Sequence, residues 1–296
     1  MQKYMNNFRI IPKLEVKNLN LVKGYKLEGL RVLGNPLDFI KIYEQSFADE
    51  IILEDVMASI LDKIIENKLI KKIAKNTSIA LCAGGGVKSL LDAEKLFSSG
   101  AEKIFLCSAL ATNPKLIKKI SETYGSQSTA VKLELVSIKN DDISMTYLNG
   151  REVLNKNWRD WILMLVDYGV GEIHLSFVDL DGTGKGPNLR IADKIRSLIK
   201  VPIIYGGGVS KLGHIKKLKE TGMDGVAIAS ALHYNLIQKK IIKYNYNDNY
   251  FVRKNPNTDI GNYEWLFFGY GKDQSSIVDL LDLKNIKKSI KGLRVS

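Results

Sequence analysis

The chain holds little cysteine and little histidine. Its two cysteines, Cys82 and Cys107, each sit inside an apolar run, which excludes a disulfide framework and a cysteine-built metal cluster. The three histidines, His174, His214 and His233, stand far apart, so no metal and no cofactor is read into the sequence. Long apolar runs are missing too. None reaches the ~20 residues of a membrane span, and residues 1–8 lack the apolar stretch of a signal peptide. The chain therefore reads as cytoplasmic and off the membrane. Acidic residues are in deficit, 32 against 44 lysines and arginines, for a net charge of +12. The lysines are scattered over helical stretches such as 65–75 and 212–221 with no aromatic ladder between them. That argues for a solvated basic surface, or a face for an acidic partner, and against nucleic acid.

What is present is a stretch that occurs twice. Residues 79–87 run from Ile79 into Gly84-Gly85-Gly86-Val87, and residues 202–209 run from Pro202 into Gly206-Gly207-Gly208-Val209. A helical segment follows each, and then an apolar run ending in Ser108-Ala109-Leu110 or Ser230-Ala231-Leu232. Gly84 and Gly206 stand 122 positions apart, and so do Ser108 and Ser230. Equal spacing of two landmarks indicates internal duplication. Each copy is a strand whose glycines open a helix, an arrangement that lets backbone N–H groups hold a phosphate. Two copies predict two phosphate sites.

Along the chain, strands are expected at 9–16, 50–57, 79–84, 103–108, 130–136, 172–179, 202–206 and 225–229, with helices between them. In the first strand, alternation puts Arg9, Ile11, Lys13 and Glu15 on one face and Ile10, Leu14 and Val16 on the other. Residues 17–33 read as a loop and 59–75 as a helix, while 143–153 read as a hairpin turning at Asn149-Gly150. Eight strands alternating with helices in two similar halves predict an α/β fold, a closed (β/α)8 TIM barrel with its chemistry at the strand C-termini. It is expected as one domain over 1–296, with half-barrels of about 1–125 and 126–296. An aromatic-rich insertion at about 238–274 precedes the last helix and stands where a lid would.

These landmarks carry a resemblance. Arg9-Ile10-Ile11-Pro12, Val22-Lys23-Gly24, Asp49-Glu50, Ala58-Ser59, Gly84 to Val87, Gly125-Ser126-Gln127, Arg159-Asp160-Trp161, Gly171-Glu172-Ile173 and Asp181-Gly182-Thr183 occur in order over nearly the whole chain. The chain resembles the cyclase subunit of imidazole glycerol phosphate synthase, a duplicated barrel. The resemblance implies a separate glutaminase docked at the bottom of the barrel and ammonia passing up its centre. At the top, a bisphosphorylated ribonucleotide would be cleaved and cyclised. It further implies an ammonia gate of Arg9, Glu50, Lys103 and Glu172, a mobile first loop carrying Lys23, and a phosphorylated ligand held at Gly85, Gly86 and Ser108 on one side. On the other side the matching positions are Asp181, Gly182, Gly207, Gly208, Ala229 and Ser230.

The catalytic positions depart from the family. Where it has two aspartates, this chain has Glu15 and Glu134. A longer stem at a catalytic carboxylate matters, since a misplacement of ~1 Å can cost about a hundredfold in rate. Cys107 stands for the usual Asn, Phe105 for Ser, Met57 for Thr, Leu180 for Arg and Gly206 for Ser. Strand parity also turns Lys13 and Lys132, of the paired tripeptides Lys13-Leu14-Glu15 and Lys132-Leu133-Glu134, into the barrel interior, where each needs a carboxylate. With the gate kept and the pocket altered, the expected role is a cyclase-like barrel that passes ammonia from a glutaminase to a sugar amidotransferase of surface-glycan synthesis. The alternatives are an authentic cyclase of histidine biosynthesis and a silent scaffold that activates the glutaminase.

Overall fold

Alternation along the first strand sets the architecture. β1 (Arg9–Lys17) turns Arg9, Ile11, Lys13 and Glu15 to one side, and that side faces the inside of a closed barrel in the computed structural model, which describes residues 8–139, 142–239, 241–242 and 282–291. The strands, numbered along the chain, continue with the hairpin β2 (Asn20–Tyr25) and β3 (Glu28–Gly34), then β4 (Ile51–Asp55), β5 (Leu81–Gly84), β6 (Lys103–Leu106) and β7 (Thr129–Ile138). A second hairpin, β8 (Asp142–Tyr147) and β9 (Glu152–Leu154), follows, and then β10 (Glu172–Phe177), β11 (Ile203–Gly206) and β12 (Gly225–Ile228). Eight of these, β1, β4, β5, β6, β7, β10, β11 and β12, are parallel in sequence order, and the β12–β1 and β7–β10 pairings complete the circle. The (β/α)8 barrel is thus observed.

Helices cover the outside: α1 (Pro36–Gln45), α2 (Asn67–Ala74), α3 (Leu90–Ser98), α4 (Leu116–Tyr124), α5 (Trp158–Asp167), α6 (Leu189–Leu198), α7 (Leu212–Glu220) and α8 (Ser230–Gln238), with a C-terminal helix Leu283–Lys291. Several start where a short polar side chain accepts from a backbone N–H left free in the first turn: Asn35 from Leu37, Ser89 from Asp92, Asn157 from Arg159 and Asn188 from Ile191. Their apolar faces and the outward residues of the strands form one core, Ile10, Leu14, Leu53, Ile104, Val131, Ile173 and Val226 among them. Ile11, Ile52, Cys82, Phe105, Ala130, Ile204 and Ala227 form a separate apolar layer inside the barrel.

Two expectations fail for local reasons. Residues 17–33 are a β-hairpin, not a loop: Asn18 and Leu19, then Lys26 and Leu27, all have φ between 49° and 66°, so both tight turns are made by residue pairs without glycine. The helix expected from 59 starts only at Asn67. The Asp55 carboxylate accepts from the N–H groups of Met57 (2.9 Å) and Ala58 (3.1 Å), and Ile65 N–H donates to the Gly85 carbonyl (3.0 Å), so 57–65 is held as an irregular crossing over the barrel rim. The hairpin predicted around Asn149-Gly150 is present. Apart from residues 238–239 and 241–242, the predicted insertion lies outside the described residues.

The two halves match in backbone detail. Gly86 and Gly208 both have φ +74°, and a side chain would overlap the Lys63 carbonyl at one and the Gly186 carbonyl at the other. Gly85 (φ +122°) and Gly207 (φ +105°) each lie against a backbone oxygen, of Asp55 and Phe177, 2.7 Å from where a Cβ would stand. The glycines are therefore required by neighbouring chain, before any phosphate is considered.

Candidate functional site

Two charged layers occupy the barrel interior, one at each end. At the N-terminal end of the strands, Arg9 Nη1 lies 2.7 Å from Glu50 Oε2, and Arg9 Nη2 pairs with Glu172 Oε2. Lys103 Nζ lies 3.1 Å from Glu50 Oε1 and 2.9 Å from Glu172 Oε1, which closes a ring of alternating sign. Burial opposes charge on Glu172, but His174, Lys103 and Arg9 outweigh it and hold the carboxyl well below its ordinary range. The residues read from the resemblance as an ammonia gate are thus brought together. His174, buried just inside the ring with its Nε2 2.7 Å from Glu172 Oε1, was not expected there.

At the C-terminal end, the charges form an open chain. Glu134 Oε1 lies 2.9 Å from Lys132 Nζ, which also pairs with Glu54 Oε1; Glu54 Oε2 is 2.8 Å from Lys13 Nζ, an ion pair without hydrogen-bond geometry. Lys13 Nζ is 3.1 Å from Glu15 Oε1, and Lys23 Nζ stands 2.7 Å from both Glu15 Oε2 and Asp181 Oδ2. The order Glu134, Lys132, Glu54, Lys13, Glu15, Lys23, Asp181 alternates in sign from β7 across β4, β1 and β2 to the segment after β10. Lys13 thus lies against Glu15 and Glu54, and Lys132 against Glu134 and Glu54.

Glu54 is the residue that sequence reading missed. The signal was there, because Ile52 and Glu54 of β4 continue the alternation begun by Glu50 just before it, as Arg9, Ile11 and Lys13 alternate along β1. Glu54 pairs across the sheet with Glu15, so two like charges would adjoin if Lys13 did not reach both. Burial disfavours its charge, yet Lys13 and Lys132 bring its pKa down to about 2. Burial likewise opposes the charge of Glu15, and Lys23 and Lys13 overcome it, so Glu15 titrates far below the usual carboxylate range. Asp181 goes the other way: burial and the Glu15 charge push it up in spite of Lys23.

The hairpins complete the site. β2 brings Lys23 over the barrel mouth, where it is 1% exposed, and Lys26 N–H donates to the Asp181 carbonyl (2.9 Å). Lys23 is hence a buried strand residue in this state, where the resemblance implied a mobile loop. On the other side the tip between β8 and β9 caps the second catalytic candidate: Gly150 N–H donates to Glu134 Oε2 (2.8 Å), and Cys107 Sγ lies 3.5 Å from Glu134 Oε1. Leu148 N–H donates to Ser108 Oγ (3.1 Å).

A cavity of about 220 Å³ opens beside this tip. Gly85, Gly86 and Ser108 line its wall with Lys63 and Lys88, and Glu54, Lys132, Glu134 and Phe105 reach its depth. The positions of the first predicted phosphate set are thus gathered on a cavity whose lining includes Glu134. In the second set, Gly182 is brought beside Ser230, whose Oγ is 3.8 Å from where a Gly182 Cβ would stand. Cys107 and Ala229 precede the two helical starts with similar backbone angles (φ −139°, ψ −92° and φ −113°, ψ −85°), so Ser108 and Ser230 occupy equivalent places in the repeat. Among the described residues no group of three or more His, Cys, Asp or Glu is placed to hold a metal ion, and no helix is long and apolar enough to cross a membrane.

Comparison with known proteins covers nearly all of the barrel. Residues 9–238 match the family model described as "Histidine biosynthesis protein". The chain is 37% identical over 208 residues to the imidazole glycerol phosphate synthase subunit HisF of Legionella pneumophila, covering 70% of this chain and 98% of that relative. It is 35% identical over 228 residues to the subunit HisF of Lactococcus lactis (76% and 88%) and 33% identical over 248 residues to that of Buchnera aphidicola (79% and 93%).

Proposed function

Because the chain belongs to the histidine biosynthesis protein family and is HisF-like over most of its length, we propose that it is the barrel subunit of an imidazole glycerol phosphate synthase, taking ammonia from a separate glutaminase. The observation that carries this reading is the closed ring of Arg9, Glu50, Lys103 and Glu172 at the barrel's lower mouth, with the apolar interior layer above it and the polar cavity above that. A neutral molecule such as ammonia crosses an apolar layer at far lower cost than ammonium, whose charge would have to be desolvated. In this reading Gly85, Gly86 and Ser108, and opposite them Gly182, Gly207, Gly208, Ala229 and Ser230, take the two phosphates of the substrate. Glu134, which lines the cavity and accepts from the Gly150 N–H, works with Glu15 as the acid–base pair. Relatives support this reading over supply of ammonia to a sugar amidotransferase, the role expected from the altered pocket, because those named above are synthase subunits.

The test is turnover of the bisphosphorylated ribonucleotide with ammonium salts, which bypasses the glutaminase. Turnover is expected, and a phosphate-soaked crystal is expected to hold anions at both glycine loops. One observation favours a second reading, in which ammonia is passed on without cyclisation. Lys13 and Lys23 hold Glu15 in its charged form, which suits a base and not an acid. If no turnover appears although the barrel binds a glutaminase and raises its glutamine hydrolysis, the second reading replaces the first. If no glutaminase binds, both are lost.

A further inference from the structure

Among the described residues, one large aromatic side chain stands in the barrel interior between the two charged layers. Phe105 is 2% exposed in the apolar layer, and its neighbours there include the small residues Cys82, Ala130 and Ala227. Gly84, its partner across the β5–β6 pairing, leaves room for the ring: a Cβ at Gly84 would stand 2.5 Å from it. The far side of the ring approaches His174 (centroids 6.0 Å apart), which is bound to Glu172 of the lower ring.

The two cysteines of the chain lie at different heights in the barrel, Cys107 two residues beyond Phe105 towards the strand C-termini and Cys82 level with Lys103, two residues before Phe105. Cys107 lines the upper cavity beside Glu134, and Phe105 forms part of the same lining. Cys82 is fully buried, level with Lys103 in the sheet and among the charges of Glu50, Lys103, Glu172 and Arg9. We propose that Phe105 is a plug that separates the upper cavity from the lower ring, so that a small molecule passes between the two layers only when the Phe105 ring moves aside. His174 gives the plug a mechanical link to Glu172, and hence to whatever contacts the lower mouth. That the passing molecule is ammonia rests on the proposed function; the closure does not.

The full-length chain carries its own reporters. Methyl methanethiosulfonate, small and neutral, transfers a methylthio group to a thiolate and releases methanesulfinate, and peptide mass spectrometry reads the two thiols separately. At pH 8.5 the wild type is expected to label at Cys107 at least about tenfold faster than at Cys82, because only Cys107 faces the cavity. In Phe105→Ala, Cys82 labelling is expected to rise by about tenfold or more while Cys107 stays within about threefold, the thermal melt confirming a folded barrel. Equal labelling of the two thiols in the wild type overturns the plug, and so does continued protection of Cys82 in a folded Phe105→Ala. Should that variant not fold, Phe105→Leu, which keeps an apolar side chain, is expected to raise Cys82 labelling by a few-fold, and no rise there overturns the proposal equally. None of this needs a partner. A barrel that shows the protection pattern yet binds no glutaminase defeats the proposed function alone, whereas a coupled barrel with Cys82 open in the wild type defeats the plug alone.

Discussion

The lower and upper charged layers use the same currency of lysine, arginine and carboxylate to opposite ends. Below, two cations and two carboxylates close on themselves, so every charge has two opposite neighbours and the ring is neutral. Its cations keep a foot in water, with the Arg9 side chain 22% exposed and that of Lys103 15%. Above, three lysines and four carboxylates make an open chain whose ends, Glu134 and Asp181, each meet one lysine. Lys23 and Lys132 there are nearly sealed from solvent. A closed, partly wet ring tolerates the loss of a member; an open, dry chain strands a charge wherever it is cut. The lower layer thus stands at the barrel's wetter end, and members of the upper chain line the cavity.

Cutting the upper chain in its middle gives the largest contrast. Lys132→Met leaves Glu54 and Glu134 short of their cation in a dry site and is expected to cost about 3–5 kcal/mol in urea unfolding. Acid sharpens the comparison next. The folded-state pKa of Glu54, about 2, lies below its ordinary 4.5, so the stability it contributes is complete above pH 4.5 and is lost as pH falls towards 2. Glu54 alone should account for on the order of 3 kcal/mol of the wild type's loss through that window, and Glu54→Gln should show a flatter slope there. If the two slopes coincide, Glu54 is not held charged by the lysines.

The lower ring should respond less. Arg9→Gln leaves Glu50 and Glu172 with Lys103 and a wet edge, for an expected cost of about 1–2 kcal/mol that shrinks in high salt. A loss as large as that of Lys132→Met would erase the distinction between the layers. The smallest effect is expected when the upper chain is removed whole from Lys13 to Glu134. Lys13→Leu, Glu54→Gln, Lys132→Leu and Glu134→Gln together should stay within about 1 kcal/mol of the wild type, since Glu15 keeps Lys23 and no carboxylate is left charged without its cation. Restoring Glu54 in that background should be markedly worse. Changing only Lys13, Glu15, Lys132 and Glu134 towards the family pattern, which parity alone recommends, would strand Glu54 in the same way.

Much of this was legible beforehand, and the failures have definite causes. Alternation along β1 and β7 placed the lysines inside, because a strand's side chains must take turns between two faces. The hairpin at Asn149-Gly150 was legible because its turn carries a residue pair that accepts positive φ, whereas the turns at Asn18-Leu19 and Lys26-Leu27 make the same bend without glycine. The late start of α2 was hidden because Ile65 is tied to Gly85, a partner remote in sequence.

By itself the sequence determined the eight barrel strands, the inward faces of β1 and β7 and the repeat, since periodicity and spacing are local and survive without contacts, while the family resemblance rested on matching motifs. Only the tertiary structure decided which inward charges touch. Glu54 joins Lys13 to Lys132 because the parallel register raises β4 against β1, setting Glu54 opposite Glu15, and because Lys132 reaches across the mouth from β7. Lys23 is buried on Glu15 and Asp181 because a hairpin without sequence signal folds back over the mouth. Phe105 comes to stand between the layers because Gly84, its neighbour across the sheet, offers no side chain to keep the ring out. Register and reach are relations between strands, and a single strand's pattern cannot contain them.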